Sequence, residues 1–549
     1  MTRGTLLPLL LVLLVASLTI GGVPLRENDG TIVQWDLGTP NQPNVIDGRV
    51  TYYLDPGGML DVPTGLDESI SVRRAFQTWE DVQTSRIAFV EDDSRPARSQ
   101  DSTDRVNLIM WKERYLPPGT LALTFPYSQN GILTDVDIIL NDDVDWDTSE
   151  VGRDFVADVQ AVLTHEIGHM IGLDHVPLGT STMFPELPLG AIRTRSLEPD
   201  DVAAITALYP EPAAVHLGGI RGRVTVDGKG DGRGVLVVAV DPATRLPAAS
   251  ALTISGGLYE MGGLEPGGYR LFCFPLHGSG GMTPYWKETN SKLSGRIWTR
   301  EGGGAAAGSP ARAGLVEVRY SATTFGIDFP DVRLDDNDGE PNDRPADSLR
   351  IFLEDSVIGT AASVEDEDWF RFEGRKGDRI AVHVDAWHVG ADTNVQVDLY
   401  APGMVDADGV ILTDGVEPAH PWCVDIRPHV EDENRTSLEG VDIDAWLTEV
   451  VLEEDGYHFV RVTFSPASNV GEPVDYYLLT LYRDHRTPDD RATEVTAHPP
   501  SVPAVPGLVS RIRVVPRNLA GEILTDPLTI EVTGEGVGTI GEVENPASG

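Results

Sequence analysis

The stretch His165-Glu166-Ile167-Gly168-His169-Met170-Ile171-Gly172-Leu173-Asp174-His175 decides how this chain is read. His165 and His169 are four apart, so on a helix their imidazoles lie one turn above each other and can grip one metal ion. Glu166 stands beside that face, where a carboxylate can accept a proton from a water on the metal. Gly172 can take a positive φ without steric cost, which lets the chain leave the helix and swing His175 back as a third ligand. Three neutral nitrogens leave a fourth tetrahedral position open, as a catalytic zinc requires. The spacing therefore predicts zinc on His165, His169 and His175, with Glu166 as general base.

Working outward, 549 residues exceed what one hydrophobic core supports, so several domains are expected. A hydrophobic share of 41% and a charged share of 23% are those of a globular protein, not a disordered one. The net charge of −44 argues against nucleic acid or an anionic membrane as partner, and leaves room for calcium. Residues 1–22 read as a signal peptide: Arg3 is followed by the apolar run Leu6 to Leu14 and then by the small residues Ala16, Ser17, Gly21 and Gly22. The expectation is a secreted monomer, outside the cell, at its surface or in a periplasm, with no membrane span once the leader is removed. Cys273 and Cys423 are too sparse for a disulfide scaffold and read as two separate thiols, with one long-range bridge as the alternative.

Taken in order, Arg49 to Leu54 reads as a strand before the turn Asp55-Pro-Gly-Gly. Leu66 to Thr84 carries Val72, Ala75, Phe76, Trp79 and Val82 on one helical stripe. Ile87–Val90, Val106–Trp111, Gly119–Phe125 and Asp135–Asn141 read as further strands, the last leading into an acidic loop. A second helix, from about Phe155 to Leu173, buries Phe155, Val159, Val162, Leu163 and Ile167 and carries the histidines. A loop with Ser181-Thr-Met-Phe-Pro185 and a last helix near Pro199 to Tyr209 close an α+β unit over 31–210, a mixed twisted sheet with a zinc-bearing helix.

Residues 31–210 resemble the matrixin branch of the metzincin metallopeptidases, of bacterial type. The resemblance rests on the histidine motif, on Thr182-Met183-Phe184-Pro185, on Leu197-Glu-Pro-Asp-Asp to Tyr209, on Gly119-Thr-Leu-Ala-Leu and on Asp135-Val-Asp-Ile. It implies that Met183 forms the Met-turn beneath the metal and that Leu121, Ala122 and Leu123 lie on the edge strand that binds substrate. Animal matrixins hold a structural zinc on histidines of the two strands before the zinc helix; the matching positions here are Leu123 and Asp137, so no second zinc is expected. Asp135, Asp137, Asp142 and Asp143 would instead suit calcium, or line a solvated loop. The family's inhibitory prosegment cysteine has no counterpart, and Val176 stands after His175 where animal members carry Ser.

Downstream, short strands at regular spacing and Gly/Asp/Pro turns predict all-β sandwiches. Residues 216–290, ending Gly-Leu-Glu-Pro-Gly-Gly-Tyr-Arg-Leu271, resemble the carboxypeptidase regulatory-like domain, and 291–335 read as a linker with extra strands. Residues 336–483, through Asp366-Glu-Asp-Trp-Phe-Arg-Phe372 and Asp455-Gly-Tyr-His-Phe-Val-Arg-Val462, resemble the bacterial pre-peptidase C-terminal domain. Residues 487–549 read as a Pro-rich linker and a partial immunoglobulin-like module. His383, His388, His420, His429 and His458 lack ligand spacing and read as surface or turn residues. The leading expectation is a secreted zinc endopeptidase acting on proteins or peptides. Its rival is an adhesion or carbohydrate- or matrix-binding protein whose protease domain is vestigial.

Overall fold

The computed structural model describes most of residues 22–404, with breaks at 56–67, 93–103, 227–231, 277–285, 287–293, 301–304 and 333–341 and at isolated positions, together with 444–464, 476–483, 494–498 and 511–515. The leader, the turn after Asp55, Cys423, His420, His429 and nearly all of 487–549 lie outside the described residues.

The first unit is a six-stranded mixed sheet with three helices. Strands β1 (Val45–Ile46), β2 (Arg49–Leu54), β3 (Phe89–Glu91), β4 (Leu108–Lys112), β5 (Ala122–Gln129) and β6 (Ile132–Asn141) assemble in the order β1-β2-β4-β6-β5, with β3 also pairing β2. Strands β2, β4 and β6 run parallel, and β5 returns antiparallel at the edge. Ile109, Trp111, Val136, Ile138 and Leu140 face the main core with the helices, while Tyr53, Leu108, Met110 and Ile139 form a smaller cluster on the other face. Asp135 and Asp137 point to that second face, yet both are buried rather than solvated. Their carboxylates accept the N–H groups of Arg105 (3.0 Å) and Leu108 (3.2 Å) and so pin the entry to β4.

Helix α1 (Glu68–Glu80) buries Val72, Ala75, Phe76 and Trp79, the stripe expected from the sequence. Helix α2 (Val159–Met170) is shorter than its apolar pattern suggested, because Asp158 caps it by accepting the N–H of Ala161 at 2.7 Å. Phe155 therefore lies outside the helix, at φ 59° and largely exposed, not on its buried side. Arg195 reaches the same cap and bonds Asp158 at 2.9 Å, a buried ion pair that joins the start of α2 to the segment before α3 (Pro199–Leu208). The segment from Val23 to Trp35 belongs to this core as well: Leu25 donates to Gly172 O (2.8 Å) and Asp174 to Val23 O (2.7 Å).

Two sandwiches follow. In the first, Val235–Val240 lies between Pro247–Leu252 and Gly267–Pro275, facing a sheet centred on Gly218–Val226. The stretch expected as a linker supplies strands to it: Leu315–Val318 pairs with Gly267–Arg270, and Thr323–Phe325 and Phe329–Val332 pair with the 218–226 strand. The second sandwich packs a sheet of 349–350, 367–374, 456–464 and 395–400 on one of 356–360, 476–483, 379–385 and 445–451. Every residue of Val235–Val240 is buried because one face fills its own sandwich and the other, with Leu236 and Val238, joins the core shared by the first unit and the second sandwich. Phe274 stacks on Tyr476 across that junction at 4.9 Å. Cys273 is a buried free thiol, pushed up to about 12 by its burial.

Helix α3 meets the first sandwich through Ala203, and Asp200 is buried at that joint. Burial, and secondarily the charge of Asp201, push Asp200 up to about 7. The folded chain then holds a proton that the unfolded chain has released, so this group's stabilising contribution falls as pH rises from about 4 to about 7. Asp200→Asn should be increasingly more stable than wild type across that window, with the largest gain above pH 7. Thermal melting at pH 4 to 8 checks this, and a Tm difference that shrinks with pH contradicts it.

Candidate metal centre

Every residue of α2 except His165 and His169 is buried, so the two half-buried imidazoles are the only side chains through which the helix reaches the surface. After Met170 the backbone turns at Gly172, whose φ is 97°, and a methyl group there would stand 2.4 Å from Val33 O. Glycine is required at this position on both counts. The turn returns His175 to the other two rings. The three Nε2 atoms then lie 3.2 Å (His165–His175), 3.2 Å (His165–His169) and 3.1 Å (His169–His175) apart. Nitrogens bound tetrahedrally to zinc at about 2.0–2.1 Å would be separated by about 3.3 Å, so the donor set fits that ion.

The opposite ring nitrogens are committed elsewhere. His165 Nδ1 pairs with Thr182 O at 2.7 Å and His169 Nδ1 with Leu173 O at 2.8 Å, which places the proton on Nδ1 and aims each Nε2 lone pair inward. Burial, followed by the neighbouring imidazoles, lowers His165 to about 3 and His169 well below its usual value, so both are neutral at pH 7, as a metal-binding imidazole must be. Glu166 is 6% exposed, and burial raises it to about 7. Thr124 Oγ1 donates to Glu166 Oε2 at 2.5 Å and opposes that rise. Thr124 was not among the site residues read from the sequence. Its signal was the two-residue alternation of β5, which puts Ala122 inward, Leu123 outward at 40% exposure, and Thr124 toward α2.

Met183 is buried directly against the helix: a methyl group on Gly168 would stand 2.2 Å from its sulfur and 3.1 Å from the Trp79 ring. The loop carrying Met183 is tied to α2 through Thr182 O on His165, closed on itself, and tied to α3. Val176 donates to Met183 O at 3.0 Å, while Asp201 accepts from Ser181 Oγ (2.6 Å) and Thr182 N (2.8 Å). Arg193 donates to Thr180 O and Gly179 O, both at 2.7 Å. Asp201 and Arg193 are further residues that spacing alone did not single out.

Over residues 49–210 the chain matches the Matrixin family model. This segment is similar to the matrixins. Over 175 residues it is 30% identical to Metalloendoproteinase 1-MMP of Arabidopsis thaliana, an alignment that takes in 30% of this chain and 44% of that protein. The chain thus spans less than half the length of this curated relative. A structural likeness to the pre-peptidase C-terminal domain of collagenase from Bacillus anthracis covers 26% of this chain and 99% of that domain, at 15% identity and a TM-score of 0.15.

The four aspartates expected to suit calcium do not gather. Asp135 and Asp137 are buried along β6, whereas Asp142 and Asp143 follow its end, about 16 Å beyond Asp137 at strand rise. Asp143 instead accepts the N–H of Arg114 at 2.6 Å. Among the described residues, the other group of potential ligands is Asp385, His388 and Asp444 in the second sandwich. There Asp444 accepts the N–H groups of Ala386 (2.5 Å) and Trp387 (2.7 Å), and His388 pairs with it, so the cluster is a braced turn. His383, His388 and His458, read from the sequence as surface or turn residues, are all buried. No described helix is long and apolar enough to cross a membrane.

The tight approach of Met183 gives a direct test. Gly168→Ala should cost about 1–3 kcal/mol through overpacking and should lower zinc occupancy. Denaturant unfolding and metal analysis of the purified variant measure both; unchanged stability would mean that Met183 is not packed on α2.

Proposed function

We propose that residues 49–210 form a secreted zinc-dependent endopeptidase that hydrolyses peptide bonds in extended segments of protein, with Glu166 as general base. The observation that carries this reading is the convergence of three Nε2 atoms beside a buried carboxylate. Zinc, when bound, supplies Lewis acidity, lowering the pKa of water and polarising a carbonyl oxygen. Glu166, near 7, can hold the proton of the attacking water and later deliver it to the leaving amine. Thr124 fixes one carboxylate oxygen of Glu166 and so orients the other.

Strand β5 supplies the surface for an extended substrate. Its inner side pairs with β6, and among the described residues no strand pairs with its outer side. Leu121 O accepts the N–H of Asn141 at 2.8 Å. Because antiparallel strands alternate the direction of their backbone groups, Leu121 and Leu123 spend theirs on β6, while Ala122 and Thr124 face the open edge. A peptide would add there as one more strand. Of the three residues expected at this edge, Ala122 is the one whose backbone a substrate would use.

Two experiments test the reading. Glu166→Ala should retain bound zinc and lose casein hydrolysis; a variant that cleaves as fast as wild type sinks the assigned role. Ala122→Pro removes an N–H directed at substrate, so KM should rise with little change in Tm, whereas Leu123→Pro removes a ladder bond and should lower Tm. Equal effects of the two prolines on melting would contradict substrate addition at β5.

A further inference from the structure

The loop from Val176 to Phe184 carries the carbonyl that orients His165 and the methionine beneath the ligands, and it is held from two sides. On one side stands Arg193, from its own unit. On the other is a short turn of the second sandwich, Trp387–Val389, more than 200 positions along the chain. Gly179 donates its N–H to Trp387 O at 3.0 Å, and a methyl group on Gly179 would stand 1.9 Å from the indole. The indole packs on Phe184, the residue after Met183, with ring centroids 4.6 Å apart. A methyl group on Gly390 would meet Pro177 O at 2.6 Å, so the backbones on either side approach as closely as glycine allows.

The turn is itself rigid. Asp444 accepts the N–H groups of Ala386, Trp387 and His388, and Tyr476 OH donates to Val389 O at 2.9 Å. Tyr476 in turn stacks on Phe274 of the first sandwich. The loop is therefore gripped by an anchored feature, not by a mobile appendage.

We infer that the Trp387 turn is a positioning element of the metal centre, acting on His165 through the 176–184 loop and Thr182 O. The downstream sandwich then forms part of the catalytic unit. This inference rests on the zinc-peptidase reading for its activity readout only; its primary readout is retention of zinc.

The test is a double-mutant cycle in the full chain, loaded with zinc, following release of the ion to a colorimetric chelator, kcat and KM on a peptide, and Tm. Gly179→Ala pushes a methyl group into the indole and should speed zinc release by about 3- to 10-fold, with kcat falling more than KM. Trp387→Ala should speed release by a smaller factor, and Trp387→Phe should recover most of the loss. In the double variant the methyl group occupies vacated space, so release should be slower than in Gly179→Ala alone. Additive effects, or a Trp387→Ala chain that releases zinc at the wild-type rate, overturn the inference. A wild-type chain that retains zinc but cleaves nothing defeats the peptidase reading while leaving this cycle intact. One that retains no zinc defeats both.

Discussion

Three imidazoles must share one small volume and stay neutral, and much of the first unit follows from that. Main-chain carbonyls take up the outer nitrogens: Leu173 O serves His169 because Gly172 ends the helix there, and Thr182 O serves His165 because Asp201 and Ser181 fix the loop. Burial then keeps His165 and His169 unprotonated and raises Glu166 to about 7. The same burial thus acts in opposite directions on the two kinds of group, favouring the neutral form of each.

Local features of this site were legible in the sequence because their causes are local. The four-residue spacing of His165 and His169, the positive φ of Gly172 and the stripe on α1 depend on a few neighbouring residues. What escaped the reading depends on partners far along the chain. The helical pattern before Val159 did not reveal where α2 starts, since that is set by the Asp158 cap and its bond to Arg195, 37 positions on. Asp135 and Asp137 read as calcium ligands or part of a solvated loop, but each is buried and accepts a backbone donor about 30 positions earlier. Thr124 looked like one more strand residue until α2 was laid beside β5.

The sandwiches show the same division. Short strands between turn residues correctly announced β-rich modules, but the run Val235–Val240, apolar at every position, held a further message. An outer strand of an independent module would alternate; a strand apolar on both sides must be covered on both. Here the second cover is the core shared by the first unit and the second sandwich. Strands from 315 to 332, within the stretch read as a linker with extra strands, likewise complete the first sandwich.

That shared cover bears on how the molecule can be divided. Ala203 of α3 lies in the interior of the first sandwich, and a methyl group on Gly263 would meet Ala203 O at 2.5 Å. Ending the chain after Pro210 would strip this partner from the closing helix and take the Trp387 turn from the Met183 loop. A recombinant fragment cut at the family boundary would thus carry raw apolar surface at one end of the helix that secures its metal loop. Boundaries drawn by sequence similarity and boundaries of independent folding part company at that helix.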